Sequence, residues 1–226
     1  MAGADASAPA RTVRAAYEAL SAVVAELGDE ESWLPTDCTG WAVRDLVFHC
    51  LGDAQRALVA LHTPASGPAD RDAVSYWQEW RPDGVGAANG RRWARVSASM
   101  FLDWGQLRGL FLETLAAAAG AADGVGPGRH VATQGHVLTA GDLLLTLAVE
   151  ATVHHLDLTA ALPLAPGPSP EGLAAVRATL DGLLGRPGLP EWSDRHYARV
   201  GTGRAALTEA ERTALGAAAD RFPLFG

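Results

Sequence analysis

Apolar side chains recur every three or four residues over 11–27 (Val13, Tyr17, Leu20, Val24, Leu27), which predicts an amphipathic helix ending at Gly28. The same period returns over 42–62, over 89–122, where Gly105 and Gly109 interrupt it, and over 140–162. Pro35, Asp37 and Gly40 supply turn chemistry between the first two helices. Residues 129–139 read as extended, and Thr139 with Asp142 forms a capping signal that opens the fourth helix. Pro/Gly-rich linkers occupy 63–70 and 163–170, and the tryptophan-rich stretch 71–95 has no clear period. Beyond the second linker, Ser169-Pro170-Glu171 starts a short helix, 194–200 (DRHYARV) reads as a strand, and Thr208 to Glu211 caps a last helix. Four long helices with one apolar face each bury those faces most economically in a bundle. The expected fold is therefore mainly α, a four-helix bundle over residues 1–162 with a small mixed α+β appendage over 163–226.

Two of these helices carry polar residues where a buried helix should have none. Helix 140–162 is apolar nearly all round, yet Asp142, Thr146, Glu150 and His154 follow one another at four-residue steps, with Asp157 three further on. Residues so spaced lie one above another on a single face. Helix 42–62 repeats the device with Asp45, His49 and Asp53. A buried carboxylate without a partner costs several kcal/mol, so something must compensate Glu150. Facing stripes in a bundle core bring His49, Glu150 and His154 together, a ligand set for Zn²⁺ with a fourth position open to water or substrate. Asp53 and Asp157 then orient the imidazoles. A Glu–His pair at this spacing is also an ordinary surface or core pair, and the stripes alone leave that alternative open.

Composition narrows the chemistry. The 226 residues carry 18 basic and 26 acidic side chains, for a net charge of −8, and that sign lacks the footprint needed to hold a nucleic acid backbone. Every basic residue is arginine, so lysine Schiff-base and P-loop chemistry are excluded. The N-terminus shows no signal-peptide h-region and no uninterrupted apolar run is long enough to span a membrane, so a cytoplasmic location is expected. Cys38 and Cys50 form no CxxC pair and are read as small hydrophobic residues; His130, His136, His155 and His196 are read as structural.

Trp33-Leu-Pro-Thr-Asp-Cys-Thr-Gly-Trp41, then Val43-Arg-Asp-Leu-Val-Phe-His49, and later Glu150-x-x-x-His154-His-Leu-Asp157, resemble the mycothiol-dependent maleylpyruvate isomerase family. That family belongs to the DinB-like four-helix-bundle metalloproteins of actinobacteria. The resemblance spans roughly 11–162 and implies His49, Glu150 and His154 as metal ligands, Zn²⁺ as the metal and mycothiol as cosubstrate. The expected function is a thiol S-transferase or isomerase that holds its thiol as thiolate and attacks a small electrophile. Alternatives are a zinc hydrolase or lyase with Asp53 as general base, and a non-enzymatic metal-binding protein. Arg204 is the expected grip on a substrate carboxylate, Trp77, Trp80 and Trp93 the expected seat of specificity, and the chain a monomer or homodimer.

Overall fold

The computed structural model describes residues 7–78 and 85–225. In chain order its helices are α1 (Ala8–Glu26), α2 (Asp29–Ser32), α3 (Val43–His62), α4 (Val85–Ala98), α5 (Trp104–Asp123), α6 (Ala140–Leu158), α7 (Pro170–Leu184), α8 (Asp194–Gly201) and α9 (Glu209–Leu215). A hairpin of β1 (His130–Thr133) and β2 (His136–Thr139) lies between α5 and α6, antiparallel with Thr133 opposite His136. The bundle is made by α1, α3, α5 and α6: α1 packs on α5 and α6, and α3 closes the ring on the same two. Its core is built from the predicted apolar positions, among them Val13, Leu20, Val24, Leu46, Leu51, Phe111, Leu115, Leu144 and Ala148.

The extended segment and the cap at Thr139 fall where the sequence places them, with the Thr139 side chain accepting from the Asp142 N–H. The stretch 89–122 is not one helix. Asp103 accepts from the Gly105 N–H and starts α5 afresh, while α4 lies outside the bundle against α3 with Ala94 buried. Apolar spacing alone does not register this break, because Phe101 continues the period across it.

The tail departs from the expectation in one respect. Residues 194–200 are helical, capped by the Ser193 side chain on the His196 N–H. Tyr197, Ala198, Val200 and Gly201 turn inward together, the i, i+1, i+3, i+4 spacing of a helix and not the alternation of a strand. No strand occurs in the tail among the described residues, so the appendage is helical. It packs through α7 on the back of α6, where Val149, Val153 and Leu156 join Val176, Leu180, Trp192 and Tyr197 in a second core. Trp77 stacks on Phe225 at 4.6 Å and ties the 63–78 crossing to this core.

The last helix has a pH-sensitive anchor. Glu211 accepts from Thr208, Trp192 Nε1 and His196 Nε2. Burial acts to raise its pKa, and the hydrogen bonds from Thr208, His196 and Trp192 override it, holding the carboxyl at about 2. The folded value lies below the ordinary 4.5, so this contribution is complete above pH 4.5 and is lost as pH falls toward 2. In Glu211→Gln the stability measured by urea melts should fall less between pH 5 and pH 3 than in the parent chain (both values roughly bracketing the carboxylate range). Equal losses in the two proteins would refute the assignment.

Candidate metal centre

The site sits where the polar stripes of α3 and α6 face each other. One ligand atom from each of His49, Glu150 and His154 lies within 4.8 Å of the other two. The imidazole rings of His49 and His154 meet edge to face with centroids 4.8 Å apart, and Trp41 leans on both, at 5.1 Å from His49 and 6.5 Å from His154. Trp41 is fixed by its Nε1–H on the Arg91 carbonyl and by a turn in which its own N–H bonds the Cys38 carbonyl. Gly40 takes φ 81° in that turn, a conformation that favours glycine.

His154 is oriented by what stands behind it. Its Nδ1 is 2.9 Å from Asp157 Oδ2, which leaves Nε2 toward Glu150 Oε2 at 3.3 Å. Asp157 is fully buried and takes both arms of Arg204, Nε to Oδ1 at 2.9 Å and Nη2 to Oδ2 at 3.0 Å. Cys38 Sγ donates to the same Oδ2 at 3.1 Å, and the Asp37 N–H bonds the Asp157 carbonyl. A second cluster of potential ligands, Cys38 with His154 and Asp157, is therefore already consumed by internal hydrogen bonds.

Electrostatics prepare His49 and Glu150 for a cation, whereas His154 must give up a proton to join them. Burial lowers the pKa of His49 against the pull of Asp53, so it is the neutral form that stands ready to coordinate. Burial acts to lower that of His154 too, but hydrogen bonds with Asp157, Cys38 and Glu150 raise it well above the usual histidine value. Burial favours a protonated Glu150, and the bond and charge of His154, then His49 and Arg204, hold it ionised at about 2. Asp53 is buried; burial raises its pKa although His49 opposes this. Its Oδ1 meets Arg56, and its Oδ2, 3.3 Å from His49 Nε2, is not aligned for a hydrogen bond. The Tyr17 hydroxyl, buried in α1, is likewise without a partner among the described residues. Two imidazoles and an ionised carboxylate facing each other across the bundle, with an orphaned carboxylate oxygen beside them, fit a divalent cation with an open position.

The expected metal ligands are thus brought together, and Asp157 stands where an orienting residue should. Arg204 is also at the site, but its fork grips Asp157, and its Nη1 donates to the Thr202 carbonyl. Cys50 is inert, since burial pushes its thiol far up. His155 faces away, bonding the Pro166 carbonyl. Trp77 is buried in the second core, Trp93 packs on Phe48 from outside, and Trp80 lies outside the described residues. Sequence reading missed Cys38, whose only signal was its place three residues before Trp41, and Tyr17, whose helix reads as ordinary core.

The model of the mycothiol maleylpyruvate isomerase N-terminal domain matches residues 13–159, well over half of the chain. The chain belongs to this family. It is a family of enzymes, with isomerase and transferase chemistry. The crystal structure of the mycothiol-dependent maleylpyruvate isomerase is similar to this structure with a TM-score of 0.61 and 18% identity, over 90% of this chain and 91% of that one. That likeness reaches beyond the bundle and shows that the two chains share a fold. No curated protein matches the sequence significantly. No helix among the described residues is long and apolar enough to cross a membrane.

Proposed function

We propose that this family member is a divalent-metal-dependent, thiol-using isomerase or S-transferase acting on a small electrophile, with zinc as the metal and mycothiol as the thiol. The observation that carries the reading is the convergence of His49, Glu150 and His154 on one point, with no fourth protein ligand in that group among the described residues. A cation held there supplies the positive charge that keeps a thiol deprotonated near neutral pH, where a free thiol with a pKa of about 8.5 is mostly protonated.

The chain's own residues do the rest. Asp53 Oδ2, buried and without a hydrogen bond beside His49, is placed to receive the proton that the thiol gives up. Its raised pKa suits a group that must both accept and return a proton. In an isomerase the sulfur adds to one carbon of a cis double bond, the resulting single bond rotates, and expulsion of the thiol restores the alkene in the trans form. In a transferase the adduct leaves. Arg204 acts through Asp157: its fork fixes the carboxylate that fixes the His154 ring. Trp41, leaning on both imidazoles, shields one side of the site from solvent.

The test is a conjugation and cis–trans isomerisation screen on zinc-loaded protein, with and without mycothiol. Turnover that requires the thiol and is lost on chelation is expected. Equal turnover with no thiol would overturn the thiol reading and favour metal-activated water, with Asp53 as base.

A further inference from the structure

Resting on the reading just given, we infer that α4 tunes the metal centre from outside the bundle: docked on α3, it holds the Trp41 indole, and Trp41 in turn holds the His49 ring. Trp41 is thereby a positioning residue. The two imidazoles are kept in place by different means. His154 is tied through Nδ1 to the buried Asp157, 2.9 Å away. His49 has no equivalent bond, since Asp53 Oδ2 stands 3.3 Å from its Nε2 without the alignment of a hydrogen bond. It is packed between rings instead. Trp41 lies 5.1 Å from it, tilted by 45°, and the His154 ring meets it edge to face at 4.8 Å. A ligating imidazole needs an outer partner to fix its orientation, and for His49 the indole takes that part.

The indole is itself tied to α4. Its Nε1–H donates to the Arg91 carbonyl at 3.1 Å. A carbonyl inside a helix accepts one bond along the helix and keeps a second lone pair, so α4 takes this bond without losing one of its own. The reach of Trp41 therefore depends on where α4 sits.

α4 is lightly held. It packs chiefly on α3, and the side chains it buries are Ala87, Ala94 and Ala98. Trp93 is half-exposed; its ring rests on Phe48 at 5.1 Å and lies over Gly52, where a β-carbon would come within 3.6 Å of it. Such small side chains bury little apolar area, and elements so held open locally well below the free energy of global unfolding. Each opening carries the Arg91 carbonyl away from Trp41 and frees the His49 ring. Coupling of this kind is reciprocal: a docked α4 that strengthens metal binding is itself held down by bound metal, by the same factor.

Hydrogen exchange and zinc titration on the full chain read the two sides of that coupling. In the parent chain zinc should slow exchange of the α4 amides about tenfold, the low end of what a lost outer partner costs a metal site. Trp41→Phe keeps a ring beside His49 but has no N–H; it should bind zinc about tenfold more weakly and show no zinc-linked slowing in α4. Ala94→Gln places a polar side chain against α3 and should release α4, with the same loss of zinc affinity as Trp41→Phe. The double variant should lose no more than either single one, whereas a merely structural role for Trp41 gives losses that add. With metal at one ion per chain, α4 amides indifferent to zinc, an Ala94→Gln protein that binds zinc as the parent does with α4 exchanging freely, or additive losses overturn the inference and leave the metal reading intact. A parent chain that takes up no zinc overturns the reading beneath as well.

Discussion

His154→Ala should leave the protein folded, without bound metal, and at least about a thousandfold slower in thiol-dependent turnover. The magnitude follows from losing several kcal/mol of charge stabilisation at the reacting centre, at about 1.4 kcal/mol per factor of ten. The fold survives because Asp157, left behind, still holds both arms of Arg204 and the Cys38 thiol. Emission analysis for metal beside a thermal melt reads both halves of the expectation. His49→Ala and Glu150→Ala should behave alike, since one cation needs all three groups. His155→Ala separates the site from its neighbour in sequence: its partner is the Pro166 carbonyl, so it should keep full metal occupancy. A His154→Ala protein that retains a full metal complement would remove the basis of the proposed chemistry.

The second large effect belongs to Arg204. Asp157 is fully buried, and removing its bidentate partner leaves a carboxylate compensated only by His154 and Cys38. Breaking a buried ion pair on one side costs about 3–5 kcal/mol, so Arg204→Ala should unfold at markedly lower urea concentration. Metal affinity should drop about 10- to 100-fold as the His154 ring loses its fixed orientation. Exchanging both partners, as Asp157→Asn with Arg204→Met, should return part of the stability because no charge is then stranded. If Arg204 instead grips substrate, Arg204→Ala would raise KM while the melt and the metal content stay unchanged. The two outcomes do not overlap.

Much of this was legible before any coordinates. The bundle helices announce themselves by period, and the metal candidates by breaking it: Glu150 and His154 stand out because Leu143, Leu144, Leu147, Val149 and Val153 leave no other polar side chain but threonine on that stretch. The partner of Asp157 was not legible, since Arg204 lies 47 residues away and arrives by docking of the tail. The strand reading of 194–200 failed because it passed over the Ser193 cap and the inward pairs Tyr197–Ala198 and Val200–Gly201, which a helix and not a strand puts on one face. The contact between Tyr76 and Gln134 was hidden for another reason. Tyr76 and Gln134 come from an aperiodic crossing and from a hairpin turn, and only packing brings them together.

α6 belongs to two cores at once, Leu144 and Ala148 facing the bundle, Val149 and Val153 facing the tail. On a ribosome the bundle emerges first, with Asp157 charged and lacking the arginine that neutralises it until residue 204 has left the exit tunnel. The three candidate ligands are therefore all made before their support is, and the His154 ring gains its fixed orientation only once the tail has docked.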